Sequence, residues 1–135
     1  MIKLNFIAVL GLIFAGHVMA AEWEPIKQGE DTVREIDMSS IEKKGAVLTF
    51  IARHTFAGKS EFKVGRREVK YLLITSRVNC GARTLAQLAT EAYDEKMALI
   101  SKQNIQQSQD NPVTPGSIDE GALNHVCVNG GKSQN

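Results

Sequence analysis

Cysteine is scarce in this 135-residue chain, with two residues, Cys80 and Cys127, far apart. That spacing excludes a redox motif, which needs closely spaced thiols. An excess of charge of one sign is also missing: 16 basic residues face 15 acidic ones. A strongly basic nucleic-acid surface is therefore not indicated. The sequence has three histidines and no G-x-S-x-G elbow. His54 and His125 lack a spaced third ligand, so no metal site is expected. No Ser–His–Asp arrangement has a supporting motif either. The reading is a non-enzyme, with no catalytic residue, no metal and no cofactor. The internal sequence holds no repeat of useful length.

One apolar run is present, at the N-terminus. Lys3 supplies a positive charge, residues 6–14 are apolar apart from Gly11, and Val18-Met19-Ala20 offers small residues to a signal peptidase. A membrane span needs roughly 20 apolar residues. Here Gly16 and His17 interrupt the run, and Glu22 and Glu24 follow at once. Residues 1–20 are expected to be a cleaved signal peptide, leaving no stable membrane span. No cysteine follows the cleavage point, so no lipid anchor is expected there. The mature part, about 115 residues, suffices for one domain. We assign that domain to residues 21–130 and a disordered tail to residues 131–135. Once Lys3 leaves with the leader, the charges balance.

Export explains the cysteines. Outside the cytoplasm an even count reads as a bridge. A Cys80–Cys127 disulfide would close a loop of roughly fifty residues, a stabilisation of about 4 kcal/mol.

The pattern along the chain points to an α+β domain. Residues 23–28 read as an edge strand, because Pro25 lacks a donor. An unpaired edge there would support a homodimer. Residues 32–37 form a second strand, Asp37 and Ser39 suggest a helical turn ending near Ile41, and Lys43-Lys44-Gly45 a turn. Residues 46–56 make the clearest strand, with Leu48, Phe50 and Ala52 on one face. A polar loop spans residues 58–65, and residues 67–79 form a long strand. The apolar side of that strand changes along its length, which a bulge or a strong twist near Tyr71 would explain. Residues 82–98 are ambiguous. Leu85, Leu88, Ala89 and Ala92 recur at helical spacing in good helix formers, whereas a hairpin to residues 97–105 would complete an antiparallel sheet.

Residues 106–116, with Pro112 and Pro115, read as an exposed loop. Ser117 and Glu120 then form a capping box, and Asp119 and Glu120 suit the positive end of a helix. Ile118, Ala122, Leu123, Val126 and Cys127 form the apolar stripe, and Asn129-Gly130 ends the helix. The disulfide would staple this helix to the face of the long strand that carries Leu72, Ile74 and Val78.

Several of these residues carry a likeness: Trp23, Ile36-Asp37 with Ser40-Ile41, the strand at Val47–Phe50, Ser76-Arg77-Val78-Asn79-Cys80, Arg83, Tyr93, Pro115-Gly116-Ser117, Glu120 and Cys127. In this order they resemble the surface-adhesin protein E family of Gram-negative bacteria, over nearly all of residues 22–128. Asn79 departs from the pattern, standing where the family often has an acidic residue. The resemblance implies an antiparallel β-sheet with a C-terminal α-helix packed on it, and residues 83–93 as a strand. It also implies an exported binding protein of adhesin type, associated with virulence, with host extracellular-matrix proteins as partners. The compartment is periplasmic or secreted, with cell-surface association as the further reading. The alternative is a periplasmic accessory or inhibitor protein that binds an envelope component or enzyme.

The candidate partner-binding residues are basic: Lys59, Lys63, Arg66, Arg67 and Lys70, in or beside a hairpin. Such a patch attracts acidic glycans, anionic matrix proteins or lipopolysaccharide by screened electrostatics; the plain reading is a solvated hairpin. Trp23, the single tryptophan, reads as a ring partly packed on the core, or as a partner anchor.

Overall fold

The computed structural model describes residues 20–28, 32–58 and 61–130. The expected leader (apart from Ala20), the tail 131–135 and Lys59 lie outside the described residues.

The elements run β1 (Trp23–Gln28), β2 (Thr32–Lys44), β3 (Val47–Phe56), β4 (Lys63–Val64), β5 (Arg67–Glu68), β6 (Tyr71–Asn79), β7 (Thr84–Tyr93), β8 (Leu99–Asn104), β9 (Asn111–Pro112) and α1 (Ile118–Asn129). Six strands form one antiparallel path, β1-β2-β3-β6-β7-β8, and β9 pairs with β7. Strands β4 and β5 make a separate hairpin. The fold is α+β, with one helix among the described residues, at the C-terminal end, packed on the sheet. Pro25 lies on a sheet margin, where its missing donor leaves no ladder bond unmade.

Alternation selects the covered face. Leu48, Phe50 and Ala52 of β3, with Ile74 and Val78 of β6, are buried. Ile36, Leu48, Phe50, Ala52, Val78 and Leu85 cluster with Ala122, Leu123 and Val126 of the helix. Cys80 and Cys127 are joined, with their Cα atoms 5.8 Å apart, so the bridge holds the end of α1 beside the end of β6.

Residues 84–93 are strand despite their helical spacing. β7 pairs with β6 along its whole length and with β8 and β9 on its other side. Each ladder hydrogen bond contributes about 1 kcal/mol net, whereas helix propensities separate residues by tenths. Ala86 and Ala92 are buried in the sheet, and the register shift on this ladder falls at Thr75/Ser76.

The long strand is interrupted at Val69-Lys70, between β5 and β6. The expected single strand over residues 67–79, with a bulge or twist near Tyr71, is thus two strands in different sheets.

Three local expectations are corrected. The helical turn at Asp37–Ile41 is absent; β2 runs through to Lys44, and its pairing with β3 shifts between Asp37 and Glu42. Side chains replace the lost ladder bonds. Asp37 Oδ1 accepts from the amides of Glu22 (2.9 Å) and Ser39 (3.0 Å), and Ser40 Oγ accepts from the Ile51 amide at 2.9 Å. Asp and Ser cap strand irregularities by the chemistry that caps helices, which is why they read as a helix start.

The capping box is half as drawn. Ser117 Oγ accepts from the Glu120 amide at 3.2 Å, but Glu120 Oε1 accepts from Gly116 rather than from Ser117. Ser117 donates its amide to the Thr114 carbonyl instead. Ile118 is 48% exposed, so the buried stripe narrows to Ala122, Leu123 and Val126.

Gly130 ends the helix in a right-handed conformation, at φ −63°. Glycine is required there by packing: a Cβ would lie 2.7 Å from Leu48 Cδ1 and 2.8 Å from the Val126 carbonyl oxygen.

Candidate functional site

The short hairpin of β4 and β5 turns at Gly65-Arg66, where Gly65 takes a φ of +63° that costs glycine little. One contact closes its base and another ties it to β3. Val69 is fully buried and donates its amide to the Phe62 carbonyl at 3.0 Å. Phe62 stacks on Phe56 with ring centroids 6.0 Å apart.

The described basic residues divide into two pairs. Lys70 Nζ donates to the Phe56 carbonyl, and the Lys70 amide donates to the Tyr93 carbonyl, so this side chain joins strands. Arg67 donates to Asp94 Oδ2 at 2.9 Å. Lys63 and Arg66 are exposed, and neither forms an ion pair with another described residue. Of the described candidates, the cations without an ion pair or a side-chain hydrogen bond are therefore Lys63 and Arg66, at and beside the hairpin turn.

Beneath the hairpin lies a cavity of about 500 Å³, between Gly58, β5 and the turn that follows β7. Arg67, Lys70 and Lys96 line it together with Glu68, Asp94 and Glu95. The cations are matched by carboxylates, so the cavity is charge-balanced. Sequence reasoning missed the half supplied by the turn after β7, Asp94, Glu95 and Lys96. Its signal was Asp94 at the head of a turn: Oδ1 accepts from the amides of Lys96 and Ala98, each at 2.9 Å. The Ala98 amide, with help from Arg67, holds the Asp94 carboxyl below the usual carboxylate range.

The histidines separate. His125 Nε2 lies 3.0 Å from Glu24 Oε2 and links α1 to β1. His54 Nε2 accepts from Arg34 Nε, and Arg34 also reaches Asp119 at 3.4 Å. Burial, reinforced by the Arg34 charge, pushes His54 down to about 4. Burial likewise lowers Arg34, against the pull of Asp119. Among the described residues no cluster of His, Cys, Asp and Glu could hold a metal ion. No helix among them is long and apolar enough to cross a membrane.

Trp23 is half-buried and lies under the Arg53 guanidinium, 4.1 Å from ring centroid to Cζ. It pairs in register with Asp37, and so points away from the face that carries Ile36 and the helix. Arg53 is held in turn by Glu35 at 2.8 Å. The ring is thus packed by a cation and lies outside the helix-side core.

The profile of the family described as surface-adhesin protein E matches residues 23–128. Among solved structures, crystal form II of Haemophilus influenzae protein E is similar at 19% identity, covering 84% of this chain and 99% of that one, with a TM-score of 0.58. Protein E from non-typeable Haemophilus influenzae is similar at 20% identity, covering 81% of this chain and 78% of that one, also with a TM-score of 0.58. At these identities the likeness speaks to the fold. No curated protein matches the sequence.

Proposed function

Because the chain belongs to the surface-adhesin protein E family, we propose that it is an exported, non-enzymatic binding protein of adhesin type whose leader is removed after Ala20. Host extracellular-matrix proteins are the partner class, and the β4–β5 hairpin is the contact. The observation that supports this contact is the exposure of Lys63 and Arg66 at the tip, without ion-pair partners among the described residues. Arg67 and Lys70 support the hairpin from below through Asp94 and the Phe56 carbonyl. Lys59 belongs to the same patch by sequence. Strand β1 remains the outer margin of the sheet, and a homodimer through that margin is part of the same reading.

Two measurements test it. Protease treatment of whole cells should remove the protein if it reaches the surface; survival of the protein would favour the periplasmic accessory or inhibitor role. Binding of the purified, oxidised protein to a panel of immobilised matrix proteins should fall about tenfold or more when Lys63 and Arg66 are both reversed to glutamate, and should weaken with salt. Unchanged affinity in that double variant would remove the hairpin as the contact.

A further inference from the structure

At the opposite end of β7 from the hairpin lies a second cleft, of about 340 Å³, and its chemistry differs from that of the first. Its polar lining combines four carboxamide residues, Gln87, Gln107, Gln109 and Asn111, with Ser108, Thr114, Ser117 and Asp119. Its apolar surface comes from Leu85, Ile105, Pro112 and Val113. No lysine or arginine lines it, and Asp119 is its one charged residue. We propose that this cleft is a binding site for a neutral saccharide.

The size is that of a small-molecule site. Each carboxamide offers donors and an acceptor on one rigid plane, and a sugar hydroxyl likewise donates and accepts. The side chains of Gln87, Gln107 and Gln109 make no hydrogen bond to another described residue, so their capacity is available. The apolar patches face what a sugar ring presents between its hydroxyls, its C–H groups. With no cation in the lining, the site offers sulfated or phosphorylated ligands no charge partner.

An extended peptide is the competing ligand, and the strand margin argues against it. Peptides added to a sheet edge bind through free backbone groups. Here the carbonyls of Arg83, Gln87 and Leu88 are already taken, by the Val113 amide, Ser108 Oγ and the Ile105 amide respectively. Recognition is left to side chains.

The walls are also held in place without a ligand. Arg77 donates to Asp110 Oδ1 at 2.9 Å and to the Ser108 carbonyl at 3.2 Å. Ser108 Oγ donates to the Gln87 carbonyl at 2.7 Å. A loop fixed in advance loses less entropy on binding. No aromatic ring lines the cleft, so hydrogen bonds carry the affinity.

The test is a nitrogen-15 NMR titration of the purified, oxidised protein with lactose, maltose and N,N′-diacetylchitobiose. A sulfated heparin disaccharide and tetra-alanine serve as controls. At least one neutral disaccharide should shift the side-chain amide signals of Gln87, Gln107 and Gln109 saturably. The double variant Gln107→Ala, Gln109→Ala should weaken that binding about tenfold while leaving the rest of the spectrum in place. The absence of a saturable shift with all three sugars would overturn the proposal. So would shifts at these residues caused only by the sulfated disaccharide or only by the peptide. Matrix-protein binding through the hairpin tip should be unaffected by the two glutamine changes, so the two readings stand or fall separately.

Discussion

Arg34 donates its Nε–H to His54 Nε2 across 2.5 Å, from β2 to its neighbour β3, and the Arg34 guanidinium reaches on to Asp119 in the first turn of the helix. The imidazole must be neutral to accept this hydrogen bond. A cation and a basic ring thus sit side by side where the helix begins on the sheet.

The arrangement makes stability depend on acid. His54 is lowered to about 4 in the folded protein, from an ordinary value of 6.5. Its contribution is fully present above pH 6.5 and is lost as pH falls toward 4, because the unfolded chain takes up the proton first. The ceiling on this loss is about 3 kcal/mol, from the size of the shift, and solvent screening reduces it. The groups facing the ring are Arg34 and Asp119. Urea denaturation at pH 7, 5.5 and 4 should show the decline, and His54→Gln should flatten it between pH 6.5 and 4.5. An equal decline in the variant would assign the effect to carboxylates.

Two glycines of the terminal segment should respond oppositely to alanine. Gly130→Ala places a methyl group 2.7 Å from Leu48 Cδ1 and should cost about 1–3 kcal/mol as overpacking. Gly121→Ala meets no neighbour within 4 Å inside the helix and should add about 0.5–1 kcal/mol from helix propensity. Thermal melts of both variants at one pH check the pair.

Reduction should loosen the clasp between α1 and β6. Replacing Cys80 and Cys127 with serine, or adding a thiol reductant, is expected to lower stability by about 4 kcal/mol on the chain-entropy estimate. Denaturant midpoints with and without reductant measure this, and intact mass establishes the oxidised starting state.

The basic residues of the hairpin should separate by readout. Lys70→Met removes the bond to the Phe56 carbonyl and should cost about 1 kcal/mol of stability. Lys63→Met lies on an exposed strand position and should leave the denaturation curve within about 0.5 kcal/mol. Equal losses in the two variants would mean that Lys63 has a structural partner.

How much was legible follows from the range of each interaction. The strand at Val47–Phe56 was readable because two-residue alternation is a local signal. Ser117 as the helix cap was readable because its partner, the Glu120 amide, is three residues away. The cavity under the hairpin was only half legible: Arg67, Glu68 and Lys70 lie within one segment, whereas Asp94, Glu95 and Lys96 arrive from the turn after β7. The amide cleft was not legible at all, since Gln87 and Gln107 are brought together by β-pairing and the Arg77 clamp.

By itself the sequence determined the terminal helix, the clearest strands and the pairing of the two cysteines, because each rests on periodicity, on near neighbours or on a count of two. Tertiary structure decided that Asp37–Ile41 is a strand irregularity and that residues 84–93 are the strand that the family resemblance implied and local spacing opposed. In both segments the local preference is worth tenths of a kcal/mol per residue, and hydrogen bonds to the flanking strands outweigh it.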